Sequence, residues 1–304
     1  MNTIFTALFP IFGVIAAGWA LRRTGLLPDN SWGPVSRLAY LGLSPALLFT
    51  AISRADLSSI TLGPFLFAAV LGFMAMAVIM LAIKPLLKVP DPTYTSVFQA
   101  VCRWNGLLIL ALGIALFGDQ GEILVALVMV VSIPLVNMEC VAALAVWGEG
   151  AAPNWRSILY RIATNPLILG SVAGGIVNLG HIPVPLPIAD TLALMGQAAL
   201  PLILLSVGAG LSFTAMRARP RLLALSVFLK LMIGPLVFYG IGRAFGLEGI
   251  PLTILLLTGA SPGAGSAYVL AQQMGGDAPY SAGDITASTM FCFITIPFWL
   301  WLLG

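Results

Sequence analysis

Arg103, Trp104, Asn105 and Gly106 stand together inside "AVCRWNGLLIL", a run that is otherwise almost wholly apolar. Ser261, Pro262 and Gly263 interrupt a second apolar run within "LTGASPGAGSAYVL". Both interruptions carry groups suited to holding an anion. Proline removes a backbone donor and clashes with the preceding turn, so Pro262 enforces a helix break. After each break a new helix begins, near Gly106 and near Gly263. Its first N–H groups lack intrahelical partners and carry partial positive charge. Two such helix starts facing one another favour an anion between them. Asn105, Ser261 and Ser266 can add hydrogen bonds, and Arg103 adds a fixed cation. The competing use of these glycines is close helix packing, for which Gly259 and Gly263 have the G-x-x-x-G spacing. A phosphate loop is excluded, because it needs a lysine where this chain has Gly265-Ser266. A dinucleotide fingerprint fails for want of a third glycine three residues after Gly265.

The elements that must position these residues follow from composition. The chain has 304 residues, 60% hydrophobic and only 8% charged, whereas a soluble domain carries about 25% charged residues. So few charges cannot clothe a water-soluble surface, and an integral membrane protein is expected. A net charge of +3, scattered between apolar runs, does not suggest a nucleic-acid partner. Cys102, Cys140 and Cys292 lie inside apolar runs without metal-ligand spacing, so neither a disulfide framework nor a metal site is expected. His181, the lone histidine, sits in a Pro-rich connection and reads as a solvated loop residue. The first apolar run has no positive charge before it and Arg22-Arg23 after it, the pattern of a membrane span rather than a signal peptide.

A membrane helix needs about 20 mostly apolar residues. Ten such spans are predicted, at 4–21, 32–51, 64–83, 94–117, 123–146, 158–179, 187–211, 222–242, 250–274 and 284–303. Arg22, Arg23, Lys84, Lys88, Arg156, Arg217, Arg219 and Arg221 fall in loops on one side; only Arg54 and Arg243 fall in loops on the other. Arg37 and Arg161, near the starts of spans two and six, agree with the majority. Positive charge marks the cytoplasmic side. The expected location is the bacterial inner (plasma) membrane, with both termini outside, in the periplasm.

The prolines betray an internal repeat. Pro10 and Pro166 are 156 residues apart, Pro28 and Pro183 are 155 apart, and Pro45 and Pro201 again 156. Gly118 matches Gly275, and Pro134 matches Pro297 with the offset grown to 163. Two repeats are therefore expected, 1–147 and 158–304, each of five spans. Because five is odd, the second enters the membrane from the opposite side, an arrangement typical of secondary transporters. The same offset lays Gly259–Gly263 on Arg103–Leu107. Spans four and nine are thus broken at matching positions, and such a pair is the best sequence pointer to a transport site. Broken helix is tolerated at membrane depth only against protein or a water-filled cavity, so a midplane cavity walled by spans four and nine is expected.

Other ionisable residues lie within the spans. Glu139, in "VNMECVAAL", and Lys230, in "SVFLKLMIG", are candidates for coupling or charge compensation. The alternatives are a static ion pair, or a lysine snorkelling to the interface. Asp284 and Asp190 read as acids at the starts of spans ten and seven, capping or complementing the helix dipole.

Over nearly its whole length the sequence resembles bacterial members of the auxin efflux carrier family. The likeness is carried by "FPIFGVIAAGWALRRTGLL", "LGLSPALLF", "NPLILGSVAGGIVNLG" and, most specifically, by "RWNGLLILALGIALFGDQG" and "TGASPGAGSAYVLAQQMGGD". The resemblance implies an all-α membrane protein of ten transmembrane helices, divided into a scaffold side and a transport side. It implies broken helices four and nine crossing at the substrate site, as in the bile-acid symporter and sodium/proton antiporter group. It implies small organic anions as substrates, including dicarboxylates such as malonate and, in plants, indole-acetate. It suggests a homodimer. Plant members carry Pro-Asn at the span-four crossing; here Asn105 matches the Asn and Trp104 stands in the place of the proline. The long cytoplasmic loop of many plant members is absent.

These features together predict a secondary transporter of small organic anions that works by alternating access, with no cofactor and with H+ or Na+ as the open choices of coupling ion. The expected substrate contacts are Arg103, Asn105, Gly106, Ser261, Pro262, Gly263 and Ser266. A passive uniporter or channel is the alternative. An intramembrane enzyme is disfavoured, because the spans hold no paired acids, Ser/His or Cys/His constellation, or zinc signature.

Overall fold

The computed structural model describes residues 2–55, 62–149, 163–217 and 219–304, together with Arg156 and Tyr160. All regular structure among these residues is helical. In chain order the helices are α1 (Asn2–Arg23), α2 (Asp29–Ser53), α3 (Leu62–Ile83), α4 (Asp91–Cys102), α5 (Gly106–Trp147) and α6 (Pro166–Leu179). They continue as α7 (Leu186–Ala209), α8 (Pro220–Ala244), α9 (Gly249–Gly259), α10 (Ser266–Met274) and α11 (Ala278–Leu303). Among the described residues, six stretches are long and apolar enough to cross a membrane: Asp29–Ser53, Leu62–Leu86, Asp91–Trp147, Leu186–Ala209, Pro220–Ala244 and Ala278–Leu303. The start of predicted span six and Arg161 lie outside the described residues.

Two of the predicted spans lie within α5 and α4 in a way that length alone explains. The 57 residues of Asp91–Trp147 would extend roughly 85 Å as one helix, at about 1.5 Å per residue. The chain instead folds back at Gly118, whose φ of 57° and ψ of −141° interrupt the helix. A β-carbon on Gly113 would come within 3.0 Å of the Gly121 carbonyl, so the two arms are already in contact beside the turn. Glycine serves there because a positive φ costs it little.

Elsewhere prolines and polar caps set the ends. Asn165 accepts the Leu167 N–H at 2.9 Å and caps α6, with Pro166 at its first position. Asp277 caps α11 by accepting the Tyr280 N–H at 3.0 Å. This corrects the reading of Asp284 as the acid that opens span ten. The helix starts six residues before the predicted 284, and Asp284 lies well inside it, only 2% exposed. The first two turns of α11 are built from small and polar residues that face neighbouring helices rather than lipid, so an apolar window passes over them. Asp190 likewise falls beyond the first turn of α7 and is exposed. Helices α2 and α8 each contain a widened π turn, at Leu38–Leu43 and Leu229–Ile233, shortly before Pro45 and Pro235. A proline leaves an upstream carbonyl without its donor, and local π geometry absorbs the mismatch.

Packing sorts the helices into two groups. Helix α1 lies on α7, and α2 lies on both α6 and α7. These contacts are glycine-lined. Gly18 in α1 rests against the backbone of Leu205 in α7, and Gly174 in α6 rests against the backbone of Phe49 in α2. Side chains larger than hydrogen would force these backbones apart, and small residues are how membrane helices approach closely. The second group brings α4 against α5 and α11, α8 against α3 and α9, and α10 against α11. One continuous set of buried apolar side chains joins the two groups.

Candidate functional site

Helix α4 stops at Cys102, and Arg103 continues in extended conformation with φ −76° and ψ 145°. No proline causes this break. Asn105 does it by capping: its side chain accepts the Leu108 N–H at 3.1 Å and starts α5 at Gly106. Capping by Asn satisfies one of the orphan donors of a helix start. Trp104 anchors the extended residues. Its indole N–H donates to Ser132 Oγ at 3.0 Å, across the hairpin, and its ring lies 5.7 Å from that of Phe73. The second break, between Gly259 and Ser266, contains Pro262 as expected.

The two breaks meet. The Asn105 N–H donates to Ser261 Oγ at 2.8 Å and to the Pro262 carbonyl at 3.0 Å. Ser261 and Asn105 are 156 positions apart, the interval of the proline repeat. Gly263 N–H donates to Ser288 Oγ of α11 at 3.0 Å, and Ser288 Oγ in turn donates to the Asp284 carbonyl at 2.7 Å. Gly263 has no room for a side chain larger than its hydrogen without crowding Asp284 Oδ2, which a β-carbon would approach to 3.2 Å. Gly106 is similarly tight against Met129 and Trp104.

Arg103 sits at the junction and is only 6% exposed. Its Nη1 donates to Ser266 Oγ at 3.0 Å, and its Nη2 to Asn137 Oδ1 at 2.7 Å. Its Nε has no protein partner. Tyr40 of α2 lies within electrostatic reach of the guanidinium. Four ion pairs form among the described residues: Arg22–Asp29, Lys84–Asp91, Arg219–Asp277 and Arg243–Glu248. None involves Arg103, Glu139, Lys230 or Asp284. Arg103 is thus a buried cation held by neutral partners alone. Such burial costs several kcal/mol unless an opposite charge joins it.

The static ion pair considered for Glu139 and Lys230 is therefore not formed. Lys230 does not snorkel either; it is 4% exposed and donates to the Val101 carbonyl at 3.1 Å, near the C-terminal end of α4. A cation there complements the helix dipole. Glu139 keeps one buried carboxylate oxygen without a protein donor. Asp284, instead of capping, accepts the Ser226 hydroxyl at 2.5 Å, and Tyr280 donates to Ser226 at 2.8 Å.

Two cavities lie away from the breaks, so neither is the expected midplane cavity. One, of about 260 Å³, is lined by Phe49, Arg54, Val177 and Leu186; the other, of about 300 Å³, by Trp19, Arg22, Asp29 and Phe213. At the break, the Asn105 N–H bonds across to Ser261 and Pro262 and Trp104 lies buried beside it, so the junction is packed shut. Only Gly265 and Ser266 there are exposed.

Sequence reasoning passed over Asn137, Ser132 and Ser288, which hold the break in place. Asn137 was visible as the polar neighbour of Glu139 in "VNMEC"; the two serines have no such signal, since lone serines are common in membrane helices. The three cysteines are buried free thiols, and His181 is exposed.

A multi-pass helical membrane protein whose two interrupted helices join at a buried, uncompensated arginine has the architecture of a transporter. The family is identified by sequence comparison: residues 3–150 and 154–300 match the membrane transport protein family, the auxin efflux carrier group, and the chain belongs to it. It is 25% identical over 291 residues to an "Uncharacterized transporter" of Methanothermobacter thermautotrophicus, covering 94% of each chain. It is 24% identical to a protein of Rhizobium meliloti described as a "Putative malonate transporter", covering 100% of this chain and 97% of that one.

Proposed function

We propose that this membrane transport protein is a secondary transporter of small organic anions, working by alternating access. The observation that carries the reading is Arg103, a buried guanidinium with no carboxylate beside it and one N–H unpartnered. An anionic substrate supplies the missing charge, and its arrival strengthens electrostatics that are weak in water but strong in a dry site. Asn105, Gly106, Ser261, Pro262, Gly263 and Ser266 form the neighbouring contacts in this reading. Ser266, exposed and bonded to Arg103, is the point at which substrate enters. The Rhizobium meliloti relative makes malonate the first substrate to test.

The proposed architecture is ten crossings in two inverted repeats, with α1, α2, α6 and α7 as scaffold and the breaks crossing in the moving part. Reciprocal contacts support it. Gly18 and Gly174 are 156 apart, and so are their partners Leu205 and Phe49. A two-fold relation between repeats generates such exchanged pairs, and a contact between equivalent residues, as between Asn105 and Ser261, falls on its axis. At α9, 11 residues give roughly 16 Å, about half the ~30 Å hydrocarbon layer, a length that supports a break near mid-depth;.

The test is uptake of radiolabelled malonate into proteoliposomes, with preloaded malonate for counterflow. Arg103→Ala is expected to lower the initial rate at least tenfold, and counterflow distinguishes a carrier from a channel. Normal transport by Arg103→Ala, Asn105→Ala and Ser261→Ala alike would falsify the site.

A further inference from the structure

Gln99 lies in α4, one helical turn before the break, and is 0% exposed. Neither of its amide atoms has a protein partner. The Arg103 N–H donates to the Gln99 carbonyl at 2.9 Å, so the two residues are stacked a turn apart on one side of α4;. Arg103 Nε is likewise unpartnered. Helix α11 starts beside α4 and runs along it: Thr93 Oγ1 donates to Asp277 Oδ2 at 3.0 Å, and Asp277 N–H donates to the Pro92 carbonyl at 3.2 Å. At the level of the break, next to Ser288, Thr289 is 2% exposed and its hydroxyl is also unpartnered.

Leaving a buried amide without partners is costly, and folded proteins keep very few. Leucine at position 99 would fill the space without that cost. A glutamine retained against such a penalty, beside an uncompensated arginine, marks a place where something else completes the hydrogen bonds. The inventory of donors and acceptors then specifies it. Arg103 Nε and Gln99 Nε2 are donors and suit the two oxygens of a carboxylate. Gln99 Oε1 is an acceptor, and a carboxylate alone leaves it empty.

We infer that Gln99 is a specificity-determining residue: with Arg103 it binds a carboxylate, and its Oε1 accepts a hydrogen bond from an O–H carried by the same substrate. The favoured substrates are short carboxylates with a neighbouring hydroxyl, or singly protonated dicarboxylates, over acids without the O–H. The inference rests on the organic-anion reading and adds a chemical class to it. Sites built to hydrogen-bond a substrate O–H reject the analogue lacking it far more strongly than a merely apolar pocket rejects a change in size.

The experiment is competition against labelled malonate uptake in proteoliposomes by two matched pairs, glycolate with acetate and lactate with propionate. A further arm compares malonate uptake above and below its second ionisation. In the wild type the hydroxy acid is expected to inhibit at a concentration at least tenfold lower than its partner. In Gln99→Leu both members of a pair lose the Nε2 contact alike and inhibit more weakly, and the ratio between them falls to near one because only the hydroxy acid loses the Oε1 contact as well. Gln99→Leu is also expected to melt at or above the wild-type temperature without substrate, because it removes an unsatisfied amide; Gln99→Met provides the same comparison should leucine not fit. Equal inhibition within each pair by the wild type, or an unchanged ratio in both variants, overturns the inference while leaving organic-anion transport standing. A wild type that takes up none of these acids overturns the transport reading itself.

Discussion

Arg103 forks between two neutral partners, Ser266 and Asn137, and both contacts are within normal hydrogen-bond length at 3.0 and 2.7 Å. A lysine keeps the charge but loses the planar fork, and cannot reproduce both bonds from one side. Arg103→Lys is therefore expected to lower initial malonate uptake at least tenfold, while Arg103→Lys protein still elutes as the wild type does in detergent. Uptake within twofold of wild type would mean that charge alone suffices. Asn105 has two separate duties, and mutation separates them. Its side chain caps α5, a contact worth about 1 kcal/mol, whereas its backbone N–H makes the bond to Ser261. Asn105→Ala is thus expected to lower the melting temperature by a few degrees, and Ser261→Ala to lower it less, because the Pro262 carbonyl still accepts the same N–H.

At the scale of elements, the contacts between α2 and α6 depend on which glycine faces inward. Gly174 and Gly175 are neighbours in sequence with opposite surroundings. A β-carbon on Gly174 would press to 2.8 Å from the Phe49 carbonyl oxygen, while one on Gly175 meets nothing within 4 Å. Overpacking of this kind costs about 1–3 kcal/mol, whereas alanine for an unhindered helical glycine gains about 0.5–1 kcal/mol. Thermal unfolding in detergent should therefore show Gly174→Ala below the wild type and Gly175→Ala at or above it. Matching shifts of the same sign would show that the α2–α6 contact is looser than drawn. The break in α4 is the second lesson at this scale. Pro262 announced its break in the sequence, but the α4 break comes from an Asn cap and a tryptophan held by Ser132, and it forms without proline. The start of α11 went the other way: the Asp277 cap precedes the apolar stretch by two turns, so hydropathy placed the helix too late and misassigned Asp284.

For the whole molecule, charge in the loops predicts orientation, and buried thiols make it measurable. Cys102, Cys140 and Cys292 are all buried, so the wild type is expected to resist a membrane-impermeant maleimide in intact cells. His181 and Lys88 are exposed in connections that the positive-inside pattern assigns to opposite sides;. His181→Cys should label in intact cells, and Lys88→Cys only after permeabilisation; the reverse outcome inverts the topology. Composition alone pointed to an integral membrane protein, because 8% charged residues cannot solvate a water-facing surface, and the length of the apolar runs pointed to helices. Proline spacing pointed to paired breaks, because a repeat preserves the position of residues that break helices. Tertiary structure decided the rest. It decided that Asn105 bonds Ser261, that Arg103 has no acid beside it, that Lys230 meets the end of α4, and that the junction is shut. Those facts depend on which side chains from distant helices share a space. Periodicity records which way a residue faces along its own helix, but it carries no information on what waits there.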